Sequence, residues 1–285
     1  MWCICLLLNK GKTLDIFTYI MIFMMGTVFG SFFTLAVYRL PLHKDITHER
    51  SFCPNCNHRL EFLDLIPIFS YIFLKGKCRY CGQKIRIRYL ILEILSGLVF
   101  LFSYMSFGIH FPNYELNTLV AFVFFVFMYI TVVIVAGIDK EYRTIHKGTI
   151  LFGTIMQVLY ILYLYIVEGS NIYRYSIYLV LLLIAGIANY LYFKKFSNNA
   201  YILEILLFSF YITFVVGGEL FLITTILTII LIIFNTLIQK VKFNMKDKPD
   251  ILNENEKKST RVGFFLGIST ILVVLIENVI QYCII

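Results

Sequence analysis

Charge is scarce in this 285-residue chain: Asp, Glu, Lys and Arg make up 15% of it, against about 25% in soluble domains. With 60% hydrophobic residues and a mean hydropathy of +0.82, that deficit excludes an ordinary soluble globular domain. Proline is limited to five residues and glycine to 16, which excludes fibrous and low-complexity classes. The 28 Phe and 20 Tyr exclude disorder. Several chemical signatures are also missing. No GxSxG, HExxH, GxGxxG or P-loop pattern occurs, which argues against a serine hydrolase, a metalloprotease and a nucleotide-driven pump.

What the chain has is hydrophobic length. A membrane span takes about 20 mainly apolar residues, and the gaps between charges mark eight. They are Asp15–Arg39, Tyr89–Gly108 (with Glu93), Leu119–Gly137, Ile150–Val167, Arg174–Lys194, Ala200–Val216 (with Glu204), Leu220–Leu237 and Val262–Ile285 (with Glu277). The fold class expected is therefore an all-α polytopic membrane protein of about eight transmembrane helices. A tight hairpin is expected at Gly217-Gly218-Glu219, where two spans meet. Met1–Leu8 is too short to span and no basic stretch precedes it, so the first span, rather than a cleavable signal peptide, is the expected targeting element.

The basic residues orient the bundle. Four loops on one side hold 22 of the 25 Lys and Arg: residues 39–88, the turn carrying Lys140, Arg143 and Lys147, the pair Lys194-Lys195, and the segment after the seventh span. Lys10, Lys12 and Arg174 lie on the other side. The positive-inside rule puts the rich loops in the cytosol and both termini on the outer side of the membrane. The net charge of +8 is then a topology signal and a basic surface beside membrane lipids, with no nucleic acid partner required. Three parts follow: residues 1–38 with the first helix, a cytosolic loop 39–88, and a seven-helix membrane domain 89–285 with a basic loop 238–261.

Four of the seven cysteines form two CxxC pairs, Cys53-Pro54-Asn55-Cys56 and Cys78-Arg79-Tyr80-Cys81, with 21 residues between them. Two such knuckles present four thiolates, the donor set of a structural zinc site of zinc-ribbon type. Two disulfides and a redox pair are the alternatives, but a cytosolic loop favours reduced thiols and zinc. Four thiolates leave no open position for water, so the metal would hold the loop. Cys3, Cys5 and Cys283 are expected to pack near the outer face.

At this loop the chain resembles the bacterial type IV prepilin peptidases. Those bifunctional membrane enzymes cleave the leader from pilin-like precursors and N-methylate the new terminus. The matching residues are Gly30-Ser31-Phe32, Tyr38-Arg39-Leu40-Pro41, Cys53-Pro54-Asn55-Cys56-Asn57-His58, Asp64-Leu65-Ile66-Pro67 and Ser70-Tyr71. They continue with Lys75-Gly76-Lys77-Cys78-Arg79-Tyr80-Cys81-Gly82, then Arg88-Tyr89 and Glu93. Leu90 stands where the family has Pro, and the family's Ile-Pro-Phe-Gly-Pro-Phe-Leu run survives only as Arg261-Val262-Gly263-Phe264-Phe265-Leu266.

The resemblance implies aspartic chemistry by two carboxylates sharing one proton. Gly137-Ile138-Asp139 fits the family's Ile-Asp motif, with Ile145 following and His146 where Pro is usual. Asp139 is thus the first catalytic candidate, the alternative being a solvated boundary carboxylate. The family's second aspartate has no counterpart: Lys195-Phe196-Ser197-Asn198-Asn199-Ala200 contains neither Asp nor Gly. Glu204, an ionisable group inside a span, is the candidate replacement; pairing with Lys194 or Lys195 is its alternative reading. Glu93 either shapes a methyl-transfer region or makes a polar contact between helices, and Glu277 is expected near the outer interface. The implied cofactors are zinc and, for methyl transfer, S-adenosylmethionine, for which no binding motif is readable. The implied substrates are type IV prepilin or pseudopilin precursors. The competing reading is a proteolytically degenerate relative acting as a methyltransferase or pilin-binding scaffold.

Overall fold

The computed structural model describes residues 13–46, 50–109, 115–169, 201–216, 218–244 and 261–284, with short stretches between 176 and 191. Among these residues the regular elements are helices, apart from two isolated β-bridges. We number them α1 (Thr13–Arg39), α2 (Phe69–Phe73), α3 (Arg88–Ser106), α4 (Leu116–Tyr142), α5 (Lys147–Glu168), α6 (Tyr201–Val216), α7 (Gly218–Asn244) and α8 (Val262–Ile284). Six of them, α1, α3, α4, α5, α7 and α8, are long and apolar enough to cross a membrane. The protein is thus an all-α, multi-span chain with a four-cysteine cluster in the connection from α1 to α3. Where the sixth span is expected lies α6, a helix of 16 residues that is not among those six. Most of the expected fifth span, Met1–Leu8, Cys3, Cys5, Lys194, Lys195, Gly217, most of loop 238–261 and the side chain of Cys283 lie outside the described residues.

The chain forms two compact units. One comprises Met1–Val126 with Leu275–Ile285, the other Phe127–Val274. In the first, α1 packs along α3 through a stripe of small residues. A Cβ on Gly26 would lie 2.7 Å from the Ser96 carbonyl oxygen, and one on Gly30 would lie 2.8 Å from the Glu93 Cα. Gly26 and Gly30 are four residues apart, hence on one helix face. Small residues at this spacing let two membrane helices approach closely, so that dispersion contacts replace the hydrophobic effect that lipid cannot supply. Asn278 closes the unit by donating to the Ser103 hydroxyl at 2.7 Å.

The second unit is tied by buried polar contacts. Tyr211 is fully buried and donates its hydroxyl to the Met128 carbonyl, while Gln157 donates to the Tyr211 carbonyl. Thr228 donates to Ser269 at 2.9 Å across α7 and α8. Gly267 sits against Ala136, bringing α8 onto α4. The turn from α4 to α5 is short: His146 has extended backbone and its Nδ1 lies 3.1 Å from the Thr149 hydroxyl in the first turn of α5.

Because the Gly30 Cβ position is bounded by backbone, Gly30→Ala is expected to destabilise the first unit by about 1–3 kcal/mol. Val28→Ala, at a position 54% exposed on α1, is expected to change little. Thermal unfolding of the detergent-solubilised variants measures both.

Candidate functional site

The cysteine connection is built from two turns of the same design. In each, the residue after the second cysteine has left-handed backbone, φ 54° at Asn57 and φ 70° at Gly82. In each, an amide hydrogen bond returns to the first cysteine's carbonyl, from Asn57 at 2.8 Å and from Gly82 at 3.0 Å. Both are flanked by a bridge at equal offsets, Phe52 with Arg59 and Lys77 with Lys84. All four Sγ atoms lie within 4.8 Å of one another, and the Cys53 and Cys81 sulfurs are 3.9 Å apart. Tetrahedral zinc with sulfur at 2.3 Å requires sulfur–sulfur distances of about 3.8 Å, so the donor set fits that ion. The thiols differ in acidity. A hydrogen bond from the Gln83 amide, then one from Asn55, lowers Cys81 to about 6. At Cys56 the His58 amide favours the thiolate, but desolvation and the neighbouring Cys81 and Cys53 outweigh it and push the thiol up to about 11.

Beside this centre lies a cavity of about 330 Å³, bounded by α1, the cysteine connection and the start of α3. Tyr38, Tyr71 and Tyr89 line it, as do Asp64, Arg79 and Glu93. Asp64 accepts the Tyr80 hydroxyl and the Glu61 amide, both at 3.2 Å, and pairs with Arg79 Nε at 2.9 Å. Arg39, 3% exposed, donates to the carbonyls of Asp45 and Arg50, closing the entry to the connection. Glu93 is buried in α3 and accepts the Ile68 amide at 2.8 Å, with the Ser31 side chain as a further partner. Its contact is thus with the loop as well as with α1, and the loop half of it was not foreseen.

The carboxylates of the second unit have comparable settings. Asp139 lies three residues before the end of α4 and is 0% exposed, so it is not a solvated boundary group. Its Oδ2 accepts the Phe264 amide at 2.8 Å, in the first turn of α8. First-turn amides have no intrahelical acceptor, and the positive end of the helix dipole favours an anion there. Gly263 makes room: a Cβ on it would sit 3.1 Å from the same oxygen. Lys140 stacks over the Phe264 ring at 4.8 Å. Glu204, in the first turn of α6, accepts the Ile145 amide at 3.4 Å and lies 4.0 Å from Lys147. Asp139 also acts on Glu204 electrostatically, more weakly than the Ile145 amide and Lys147 do. Gly263, Phe264 and Lys147 belong to this site although their residue types announced nothing. The degenerate final motif, which begins at Arg261, was the one signal that could have found the first two.

Comparison with known proteins bears on the first unit above all. Residues 24–107 match the family model described as the Bacterial Peptidase A24 N-terminal domain. The chain is 35% identical over 131 residues to the prepilin leader peptidase/N-methyltransferase of Bacillus subtilis, covering 46% of this chain and 49% of the relative. It is 38% identical over 89 residues to the protein of that name from Myxococcus xanthus, covering 31% of this chain and 27% of the relative. A third, from Vibrio cholerae, is 34% identical over 111 residues, with 36% and 40% covered. The chain thus spans at most about half the length of these relatives. No solved structure matches it.

The sulfur geometry predicts about one zinc per chain in the purified protein, measured by elemental analysis. Cys78→Ser is expected to lower that content and to open residues 39–88 to protease; a metal-free wild-type protein with an intact loop would contradict the assignment.

Proposed function

We propose that the chain is a membrane-embedded aspartic-type endopeptidase. In this reading it removes the leader of type IV prepilin-like precursors at the cytosolic face of a bacterial inner membrane and N-methylates the new terminus. The observation that carries the reading is the match of residues 24–107 to the peptidase family's N-terminal domain, together with the names of the relatives. The resemblance of Gly137-Ile138-Asp139 to the family's Ile-Asp motif extends it to the second unit.

Peptide hydrolysis by a carboxylate pair needs one member to take a proton from water and the other to donate one to the substrate. Two carboxylates that meet at one substrate bond would share one proton. Asp139 faces the amino end of α8, the better place for the negative charge. It is therefore assigned the base, activating water for attack on the scissile carbonyl. Glu204 is assigned the acid, polarising that carbonyl and passing its proton to the leaving amine. Lys147 and the Ile145 amide position the Glu204 side chain. No covalent intermediate is required.

Cys53, Cys56, Cys78 and Cys81 would hold a structural zinc that fixes the loop between α1 and α3. For methyl transfer the donor is S-adenosylmethionine, which supplies an electrophilic methyl group. The cavity beside the cysteine centre offers tyrosine faces for an adenine ring and the carboxylates of Asp64 and Glu93 for a cationic donor. In the cell, the three-part division at residues 38 and 88, cytosolic basic loops, outward termini and contact with lipids rather than nucleic acid complete the reading.

A second reading has a specific observation behind it: the segment 195–200 lacks any aspartate. A chain without proteolysis would act as a methyltransferase or a pilin-binding scaffold through its first unit.

Asp139→Asn is expected to lower leader removal from a co-expressed prepilin by at least about 10²-fold, read by gel mobility. Glu204→Gln is expected to do the same if Glu204 is the acid. Full processing by Glu204→Gln would break the pair assignment, and its failure alongside an inactive wild type would favour the scaffold.

A further inference from the structure

Between the two cysteine knuckles the chain projects a lobe whose surface is apolar. Phe62 is 81% exposed and Phe73 79%, and Leu63, Phe69 and Ile72 are each about half exposed or more. Five large apolar side chains within twelve residues are a poor surface for water. They are bordered by exposed cations. Lys75 and Lys77 follow α2 directly, and the pairing of Lys77 with Lys84, continued by the hydrogen bond from Ile85 to Gly76, sets Lys84 and Arg86 alongside them.

The lobe's height relative to the spans is fixed by one contact. Ile68, which precedes α2, donates its amide to Glu93 Oε2 at 2.8 Å. Glu93 is five residues into α3, so its Cα lies about 7 Å along the helix beyond Arg88. Helical side chains tilt back toward the amino end, which places the carboxylate a few ångströms beyond the level of Arg88. Arg88 opens the span, so the tether sits at the end of the span, the level at which interfacial elements lie. Ile68 itself has a positive φ of 64° with ψ −54°, a γ-turn conformation a β-branched residue adopts only under constraint. The anchoring contact supplies that constraint.

We propose that the Phe62–Phe73 lobe is an interfacial anchor. Its aromatic and aliphatic side chains enter the surface layer of an anionic bilayer, while Lys75, Lys77, Lys84 and Arg86 meet lipid phosphates. The charge complementarity and the span-level tether both point to lipid as the occupant. Such an anchor would hold the cysteine centre and the neighbouring cavity against the membrane surface, where a membrane-borne substrate arrives.

The test uses the full chain in vesicles containing phosphatidylglycerol, with Trp2, the one native tryptophan, replaced by Phe. Phe73→Trp, and independently Phe62→Trp, report the lobe; Gln83→Trp, on the exposed second knuckle, is the control. Lipids brominated on the upper acyl chain should quench at least half of the emission at positions 73 and 62 and much less at 83, which the proposal leaves at the level of the phosphates beside Lys84. Lys75→Glu with Lys77→Glu should weaken the quenching at 73. Equal quenching at all three positions, or none at the lobe, would overturn the proposal. So would a lobe untouched by lipid and shielded only when a prepilin peptide is added.

Discussion

A carboxylate inside a membrane span needs a donor, because lipid offers none and an unpaired buried charge is among the most costly features a fold can carry. For three such acids in this chain the donor is a backbone amide from another segment. Glu93 of α3 holds Ile68, Asp139 of α4 holds Phe264, and Glu204 of α6 holds Ile145. Each contact joins a span to the start or end of a neighbouring element, so the few acids of the chain determine where its loops and helix ends sit. Losing one of these acids would leave an amide unpaired and release the segment it holds. The apolar spans alone constrain little of this, since any face of a uniformly hydrophobic helix packs against lipid as readily as against protein.

The same constraint links stability to chemistry. The amide that satisfies Asp139 also places it at the positive end of α8, and Gly263 leaves its carboxylate oxygen uncrowded. The amide that satisfies Glu93 sets the cysteine connection at a defined height on α3, which the close approach at Gly30 permits. The four-cysteine cluster, the cavity and the apolar lobe then share one anchored connection. Peptide scission and methyl transfer, if both operate, would use separate groups: carboxylates of the second unit for the one, the cavity of the first for the other.

Much of this was legible in the sequence, for reasons that differ by feature. The helices were readable because a span is a long apolar run; α1, α3 and α8 fall within a few residues of the gaps between charges. The four-cysteine cluster was readable because its spacing is local: two CxxC turns with Asn57 and Gly82 behind them carry their geometry in a few residues. The partners of the carboxylates were not. A backbone amide has no residue-type signature, so nothing marked Ile68, Ile145 or Phe264, and Lys147 was passed over for lysines nearer Glu204 in sequence. The Gly26 and Gly30 pair was visible as a small-residue spacing, but only α3 lying against it shows its use.

The central proposal is that this chain, with Glu204 standing in for a second aspartate its sequence lacks, still cuts. Intact-mass analysis of a type IV prepilin co-expressed with the unaltered protein tests it most directly. The account predicts a product shortened by the leader and heavier by one methyl group at the new amino terminus. A full-length, unmodified precursor, with the protein shown to be folded and in the membrane, would contradict it.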